Sequence, residues 1–312
     1  MKHYYLLLLT LLFSAGTLNA QYLSEDFEGN GNMLPSGWIM SSFGGDDPAL
    51  ADGWIVATPD SASSDNFTFL GTAAQDTNVV FINDDECNCN MSADTLISPA
   101  MTLPGTSTQI EVNADVAYRS GSFQGNEESL SLIYSTDNGA TWSLAKEELE
   151  NSTSTQSGTE FESQKYVINL ASGTTSLRIG FLYNDGGGWL YGAAIDNIVV
   201  QDFNGPQREV EVQFSDLRDY VNTSIGNQEL RVRNNGGEII NSLTVETVID
   251  GGAPVVNTVS GLNISFGETD DVEVPLSVTE GIHSIEFTVT EVNGSADGDA
   301  SDNMTSREIA AL

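Results

Sequence analysis

Apolar and polar residues alternate along this chain in short runs, which clusters of Gly, Asn, Asp, Ser and Pro separate. A period of two is typical of strands that bury one face, and no stretch shows the period of an amphipathic helix. The first two thirds of the pattern predict strands over residues 109–118, 128–135, 164–170, 176–183 and 194–201. Strands of this length, joined by turns, favour antiparallel sandwiches over βαβ units.

A second domain is predicted after the turn signal Asn204-Gly205-Pro206. Its alternating runs include residues 210–214, 239–250, 271–276 and 283–292, with glycine-containing turns between them. This rhythm is typical of an immunoglobulin-like sandwich. We therefore predict an all-β chain with one domain over residues 21–205 and an Ig-like domain over residues 206–312.

One carboxylate lies inside the last strand of the first domain, which follows the loop Gly186-Gly-Gly188. Strict alternation places Asp196 on one face with Ala194, Ile198 and Val200. A carboxylate among apolar side chains is costly unless something neutralises it, and a bound cation would do so. Asp196 is therefore a predicted cation ligand.

The N-terminus predicts export. Lys2 precedes an apolar run from Leu6 to Phe13, and Leu18-Asn19-Ala20 is typical of a cleavage site. This pattern indicates a signal peptide over residues 1–20, removed after Ala20. Because the apolar run is too short to span a bilayer, we expect an extracellular or cell-surface protein that does not insert into the membrane.

The charge of the chain narrows the class of partner. Asp and Glu number 45 against 10 Lys and Arg, which gives a net charge of −35. Such a surface repels phosphates, so nucleic acid and anionic lipid are not expected partners. It suits divalent cations, although acidic charge also serves solubility alone.

Histidine and cysteine limit the chemistry further. After cleavage the single histidine would be His283 in the second domain, which argues against multi-histidine metal centres and against a Ser-His-Asp triad. Cys87 and Cys89 are the two cysteines, and export favours a disulfide between them. The short spacing would strain that bond, so a local clip and a redox or metal-binding role both remain open.

Five short motifs occur in an order that resembles a known family. The motifs are Asp26-Phe-Glu-Gly29, Leu34-Pro-Ser-Gly-Trp38, Asp52-Gly-Trp54, Leu96-Ile-Ser-Pro99 and Ala194-Ile-Asp-Asn-Ile198. Residues 21–203 are similar to the cleaved-adhesin or choice-of-anchor J domain of exported Bacteroidetes proteins. The resemblance implies a jelly-roll β-sandwich related to MAM domains, a non-catalytic adhesive or carbohydrate-binding role, and structural calcium.

Site residues follow from this resemblance by position. It implies Glu28 and Asp196 as calcium ligands, with Asp26 and Asp84 as further candidates. Members of the family commonly carry a C-terminal sorting domain for type IX secretion. None is evident before Leu312, so either the chain is part of a longer protein or its export differs.

The second domain resembles CARDB-like Ig modules, which act mainly as spacers. The resemblance rests on Val232-Arg-Asn-Asn-Gly236 and the later Asp250-Gly-Gly252. A loop rich in Gly, Asp and Ser follows over residues 293–303.

One further motif, Ser135-Thr-Asp-Asn-Gly-Ala-Thr-Trp142, matches the Asp-box of sialidases. A sialidase propeller needs several copies, and this chain has one. We interpret the motif as a hairpin turn that Asp137 caps, with Gly139 at positive φ and Trp142 packed beneath.

The aromatic residues offer a binding surface. Trp189 and Tyr191 follow the glycine loop and are predicted to bind a glycan or a surface protein, whereas Trp38, Trp54 and Tyr183 are expected in the core. The competing hypothesis is the accessory or catalytic part of an exported glycoside hydrolase or peptidase. It requires a converged pair of carboxylates in a cleft.

Overall fold

A computed structural model describes residues 20–29, 31–42, 53–63, 68–70, 78–87, 91–118, 120–149, 159–214, 220–221 and 227–311. The predicted signal peptide, apart from Ala20, and Cys89 of the predicted disulfide lie outside the described residues. Within the described part, helix is limited to α1 (Pro59–Ala62) and α2 (Asp84–Cys87). Neither described helix has the length and hydropathy needed to cross a membrane.

The first domain consists of short strands, as the alternating pattern predicted. They are β1 (Gln21–Glu25), β2 (Ile39–Ser42), β3 (Ile55–Ala57), β4 (Phe69–Leu70), β5 (Val79–Asn83), β6 (Asp94–Ile97), β7 (Met101–Thr102), β8 (Gln109–Tyr118), β9 (Ser122–Phe123), β10 (Asn126–Glu127), β11 (Ser129–Ser135), β12 (Ser143–Lys146), β13 (Thr159–Glu160), β14 (Glu162–Asn169), β15 (Ser176–Asn184) and β16 (Gly192–Asp202).

Two antiparallel sheets of six strands form this domain. In one, the strand order is β14-β8-β16-β5-β3, with β1 also paired to β16. In the other, the order is β12-β11-β15-β6-β2, with β7 also paired to β15. Inward-facing side chains of both sheets form one core, which includes Trp38, Trp54 and Tyr183 as predicted. The prediction of an all-β sandwich fold is confirmed.

Strand β16 does not keep one alternation along its length. Four of its apolar side chains belong to the core between the sheets: Ala193, Ile195, Ile198 and Val200. Ala194 instead packs in a small cluster on the opposite face. The pairing with β8 shifts between Asp196 and Val199, and Asn197 has a φ of 50°. These are the marks of a β-bulge, which inserts one residue and changes the face.

The predicted face of Asp196 was therefore right for Ala194 and wrong for Ile198 and Val200. Asp196 shares a face with Ala194, two residues before it, but the bulge removes it from the face of Ile198 and Val200. It is buried on the outer side of the sheet and not in the main core.

The Asp-box forms the hairpin turn that the sequence predicted between β11 and β12. Asp137 Oδ1 accepts hydrogen bonds from Ser135 Oγ (2.7 Å) and Thr141 N (2.8 Å). The bonds from the Thr141 hydroxyl and amide lower the pKa of Asp137 to about 2. Gly139 has a φ of 92°, and Trp142 lies 3.7 Å from where its Cβ would stand. The turn therefore has a structural role.

The second domain is also a sandwich of two sheets. Its strands are β17 (Val210–Phe214), β18 (Tyr220–Val221), β19 (Asn227–Asn234), β20 (Ile240–Ile249), β21 (Val255–Ile264), β22 (Thr269–Pro275), β23 (Gly281–Val292) and β24 (Met304–Ala311). One sheet has the order β17-β19-β22 and the other β18-β24-β23-β20-β21. A separate core, with Val232, Val245 and Phe287 among its members, lies between them.

The two domains touch at residues on either side of the predicted boundary. Gln109 Nε2 donates to the Gly237 carbonyl at 2.6 Å, and Lys146 pairs with Glu268 at 3.1 Å. Since that ion pair is about one-third exposed, its contribution to stability is small. The position of the boundary itself stays a prediction.

Candidate functional site

The predicted binding residues lie at one end of the first domain, where β16 begins. Trp189 is 45% exposed, and its ring meets that of Phe123, which is 44% exposed, edge to face with 6.5 Å between centroids. The indole Nε1 donates to the Asp85 carbonyl at 3.1 Å, which fixes the orientation of the ring. We call Trp189 and Phe123 the aromatic pair.

A polar groove begins next to the aromatic pair, at the residue before Phe123. Its volume is about 630 Å³. The lining residues are hydroxyl-bearing, acidic or glycine: Ser120, Gly121, Ser122, Glu127, Glu128, Ser129, Ser131, Glu147 and Glu148. Because the described residues of this lining include no Lys, Arg or His, the described part of the groove favours hydrogen-bond donors and disfavours anions.

Glu128 is the most unusual residue of the groove, since its side chain is only 3% exposed. Its Oε2 accepts hydrogen bonds from the Tyr183 hydroxyl (2.7 Å) and from the amides of Tyr191 and Gly192 (3.2 Å each). Its Oε1 is buried and has no hydrogen-bond partner among the described residues. Loss of water raises the pKa of Glu128 to about 8, and the three hydrogen bonds only partly offset that effect.

Asp84, a predicted metal ligand, lies beside this acid at the start of α2. Its Oδ2 accepts a hydrogen bond from the Leu190 amide, and its Oδ1 is buried with no partner in the described part of the chain. Burial raises the pKa of Asp84 to about 7, and the charges of Asp185 and Asp85 add to the shift. Asp84 and Glu128 are therefore two carboxylic acids that hold protons near neutral pH.

Asp185, which is also fully buried, differs because its carboxylate is satisfied. Oδ2 accepts from the Met91 amide (2.8 Å), and Oδ1 accepts from Ser92 Oγ (2.9 Å) and the Gly187 amide (2.8 Å). This residue ties the glycine loop to the segment before β6, so its role is structural.

Gly121 has no side chain because two other side chains pack directly against its backbone. A Cβ there would lie 2.5 Å from the Tyr191 ring and 2.9 Å from Glu128 Oε1. The absence of a side chain at residue 121 therefore leaves the space that Tyr191 and Glu128 occupy. Tyr191 is half-buried behind the groove, so Trp189 is the more exposed of the two predicted binding residues.

Two of the other predicted metal ligands lie where β1 ends. Asp26 and Glu28 flank Phe27, which is buried against Trp38 and has a φ of 54°. The Glu28 carboxylate accepts the Asn78 amide hydrogen at 2.7 Å, just before β5. Asp26 is exposed and accepts the Glu28 amide hydrogen at 3.1 Å.

Asp196 lies at the point of the sheet where its strand, β16, stops pairing with β5 and starts pairing with β1. β16 pairs with β5 over Gly192–Ile195 and with β1 from Ile198 onward. Opposite Asp196 on β8 is Asp115, and the side-chain amide of Asn197 donates to both carboxylates, at 3.4 Å and 3.0 Å. β1 ends just before Asp26 and Glu28 and pairs with β16 two residues past Asp196, but these three carboxylates do not form a group within 4.8 Å in the described part of the chain.

The structure does not bring Asp84 close to Asp196 either. Asp84 follows Asn83, which pairs with Gly192, and Asp196 lies four residues farther along β16. Four strand residues span roughly 13 Å, which is too far for both carboxylates to bind one calcium ion at about 2.4 Å. Asp84 belongs with Glu128 instead.

The sequence pointed to Trp189 and Tyr191 as binding residues and to Asp84 as a metal ligand, but it did not point to Glu128 or Phe123. Glu128 is one acid among many, and nothing in its neighbours distinguishes a buried carboxylate from an exposed one. The only local signal was the turn Gln124-Gly125-Asn126, which indicates a hairpin beside the strand.

Comparison with solved structures finds both types of module that the sequence resembles. The K3 cleaved adhesin domain of Lys-gingipain from Porphyromonas gingivalis matches at 19% identity, over 59% of this chain and 98% of that one, with a TM-score of 0.41. A CARDB domain from Pyrococcus furiosus, solved with di-metal ions, matches at 24% identity, over 35% of this chain and 96% of that one, with a TM-score of 0.27.

An enzyme is among the neighbours as well. A cyclase from Fischerella sp. TAU matches at 16% identity, over 59% of this chain and 97% of that one, with a TM-score of 0.42. No protein-family model matches the chain, and a sequence comparison with curated proteins gives no match. At these scores the neighbours do not decide function, which has to be argued from the site.

Proposed function

We propose that this chain is an extracellular, non-catalytic binding protein whose first domain binds a neutral glycan at the groove beside the aromatic pair. The observation that carries the proposal is the exposed edge-to-face pair of Trp189 and Phe123, next to a groove of serines and glutamates. We further propose that the second domain acts as a spacer.

The chemistry of the groove supports a sugar as the ligand. A pyranose has an apolar C–H face that packs on an indole ring, and hydroxyl groups that donate to carboxylates and serine oxygens. The acidic lining and the net charge of −35 disfavour sulfated or uronic acid glycans. Neutral polysaccharides therefore fit better than anionic ones.

Trp189→Ala should weaken binding to such a glycan by about tenfold or more, because the stacking surface is lost. The measurement is an array of neutral and anionic polysaccharides, followed by calorimetry on the mature chain with the glycan that binds. Trp142→Ala is the matched control: Trp142 is a part-exposed tryptophan at the opposite end of β11, and its loss should leave the affinity unchanged.

Equal affinities for wild type and Trp189→Ala would remove the aromatic pair from the binding surface. Binding restricted to anionic polysaccharides would contradict the proposed ligand class.

Structural calcium is the second part of the proposal, at the break between β5 and β1. The proposal rests on Asp115 and Asp196, which are opposite each other on adjacent strands, and on Glu28 just past the end of β1, whose carboxylate accepts the Asn78 amide hydrogen. Like charges opposite each other destabilise a sheet, and oxygen-only ligands suit calcium. Such an ion would link β16 to β8 at the bulge of β16.

Asp196→Ala should remove one bound calcium ion and lower the melting temperature in calcium buffer. Native mass spectrometry counts the ions, and calorimetry gives the melting temperature. Asp202→Asn, on the same strand but hydrogen-bonded to Tyr22, should keep the wild-type count. An unchanged count in Asp196→Ala would exclude Asp196 as a ligand.

One observation favours an enzymatic alternative. Glu128 lines the groove and holds a proton near neutral pH, as a general acid does. The array experiment separates the two functions, since a hydrolase would release new reducing ends from the bound polysaccharide. Release that Glu128→Gln abolishes would favour the hydrolase; intact ligand would favour the binding protein.

A further inference from the structure

A second cluster of carboxylates lies in the Ig-like domain, far along the chain from the groove. One carboxylate oxygen from each of Glu209, Asp297 and Asp302 lies within 4.8 Å of the other two. Glu209 directly precedes β17, and the two aspartates belong to the loop between β23 and β24. Asp297 and Asp302 come from the loop that the sequence marked only as rich in Gly, Asp and Ser.

Several buried oxygens in this cluster lack hydrogen-bond partners among the described residues, which indicates that a ligand binds here. Among the described residues, Oε2 of Glu209, which is 7% exposed, has no hydrogen-bond partner. Within the same described part, Oδ1 of Asn303, which is 2% exposed, has none either. Asp297 and Asp302 each have one buried oxygen that likewise lacks a partner among the described residues. Buried polar atoms in folded proteins are almost always paired, so four such oxygens within one short region require an explanation.

The adjacent positive charge does not supply the missing partner. Arg208 is the neighbour of Glu209 in sequence, yet its guanidinium pairs with Glu238 at 3.1 Å. Glu209 is buried and the two aspartates are part-buried, so the three carboxylates repel one another and lose part of their hydration. A cation at this position would offset both costs.

We propose that Glu209, Asp297 and Asp302 bind one calcium ion at the start of the Ig-like domain. This site is separate from the proposed first-domain site and does not depend on the glycan proposal.

The donor set selects the kind of cation. All three groups are carboxylates, whose oxygens hard cations prefer, and among the described residues no nitrogen or sulfur ligand for zinc or copper joins them. Calcium accepts several protein oxygens in irregular geometry, whereas magnesium keeps most of its water and demands an octahedron. Calcium therefore fits a buried site built from loop residues.

An ion here would fasten the junction between the domains. The β23–β24 loop already contacts the start of the domain, since the Gly298 amide donates to the Arg208 carbonyl (2.7 Å) and the Val212 amide donates to the Asp302 carbonyl (3.1 Å). On the other side, the Gly237 amide donates to the Pro206 carbonyl at 3.0 Å. The Gly237 carbonyl also accepts a hydrogen bond from Gln109 of the first domain. We therefore expect an ion at this loop to order the contact between the domains as well.

The first test counts ions on the full mature chain. After treatment with chelator and titration with calcium chloride, native mass spectrometry should show one calcium ion fewer on Asp302→Asn than on wild type. Asp299→Asn is the matched control, because Asp299 lies in the same loop but is exposed and hydrogen-bonded to Ser301. Equal counts on wild type and Asp302→Asn would overturn the proposal.

A second test uses the wild type alone, so that a poorly folded variant cannot obscure the answer. Calcium should slow amide hydrogen exchange in peptides that contain Val212 and Gly298, compared with the chain in chelator. Unchanged exchange in both peptides would also overturn the proposal. Asp196→Ala keeps the Ig-domain site, so in that variant calcium should still protect these peptides, whichever way the first-domain proposal is decided.

Discussion

In a chelating buffer, Glu128→Gln should be more stable than wild type at pH 8, and this advantage should disappear at about pH 4.5. The folded chain raises the pKa of Glu128 from 4.5 to about 8, chiefly because burial removes water. Between these values the folded wild type keeps a proton that the unfolded chain releases. Raising the pH therefore favours unfolding until the folded carboxyl has ionised at about pH 8. Glutamine cannot ionise and escapes this loss.

The expected difference at pH 8 is on the order of 4 kcal/mol, since each pKa unit corresponds to about 1.4 kcal/mol. Asp84, whose pKa is raised to about 7, acts in the same direction in both proteins. The measurement is urea unfolding of wild type and Glu128→Gln at a series of pH values. Other acids titrate in both chains, so the difference between the two curves reports Glu128 together with its interaction with Asp84.

Parallel curves across this range would mean that Glu128 ionises in the folded chain as it does in the unfolded one. Glu128→Ala tests the hydrogen bonds separately. It should be less stable than wild type even at low pH, because the Tyr183 hydroxyl and the amides of Tyr191 and Gly192 lose their acceptor.

Alternation predicted most strands of the sandwiches because each has one face in the core. β8 begins and ends where the pattern placed it, and β17 does as well. β21 was missed, since it is an edge strand whose side chains are mostly exposed, and alternation carries little signal there. β6 and β7 are separate strands on either side of Pro99, because proline has no amide hydrogen to donate to a neighbouring strand.

The site was harder to predict because it depends on register and on distant contacts. A single residue with positive φ, Asn197, turns Asp196 away from the face that alternation assigned to it. Asparagine tolerates this conformation better than most residues, but an asparagine in a strand does not by itself predict a bulge. Glu128 and Glu209 are buried by loops that are remote in sequence. An alternation of apolar and polar residues along one strand cannot predict such contacts.

Gly192→Ala should destabilise the first domain by about 3 kcal/mol or more, which corresponds to roughly 10 °C in melting temperature. Gly192 is the first residue of β16 and has a φ of 145°, where other residues are strained. A Cβ would lie 2.2 Å from the Ile82 carbonyl oxygen and 3.0 Å from Asn83 Cα. Both obstacles are backbone atoms of β5, so relief requires the two strands to separate.

Gly187→Ala separates the clash from the cost of an unusual backbone angle. Gly187 lies in the same loop with a φ of 77°, but the nearest atom to its Cβ would be Ser92 Oγ at 3.9 Å. Its replacement should cost about 1–2 kcal/mol, from the left-handed conformation alone. Similar losses in both variants would show that contact with β5 does not explain Gly192. A larger loss in Gly192→Ala, with weaker glycan binding, would mean that the first residue of β16 holds both the sheet and the Glu128 carboxylate in place.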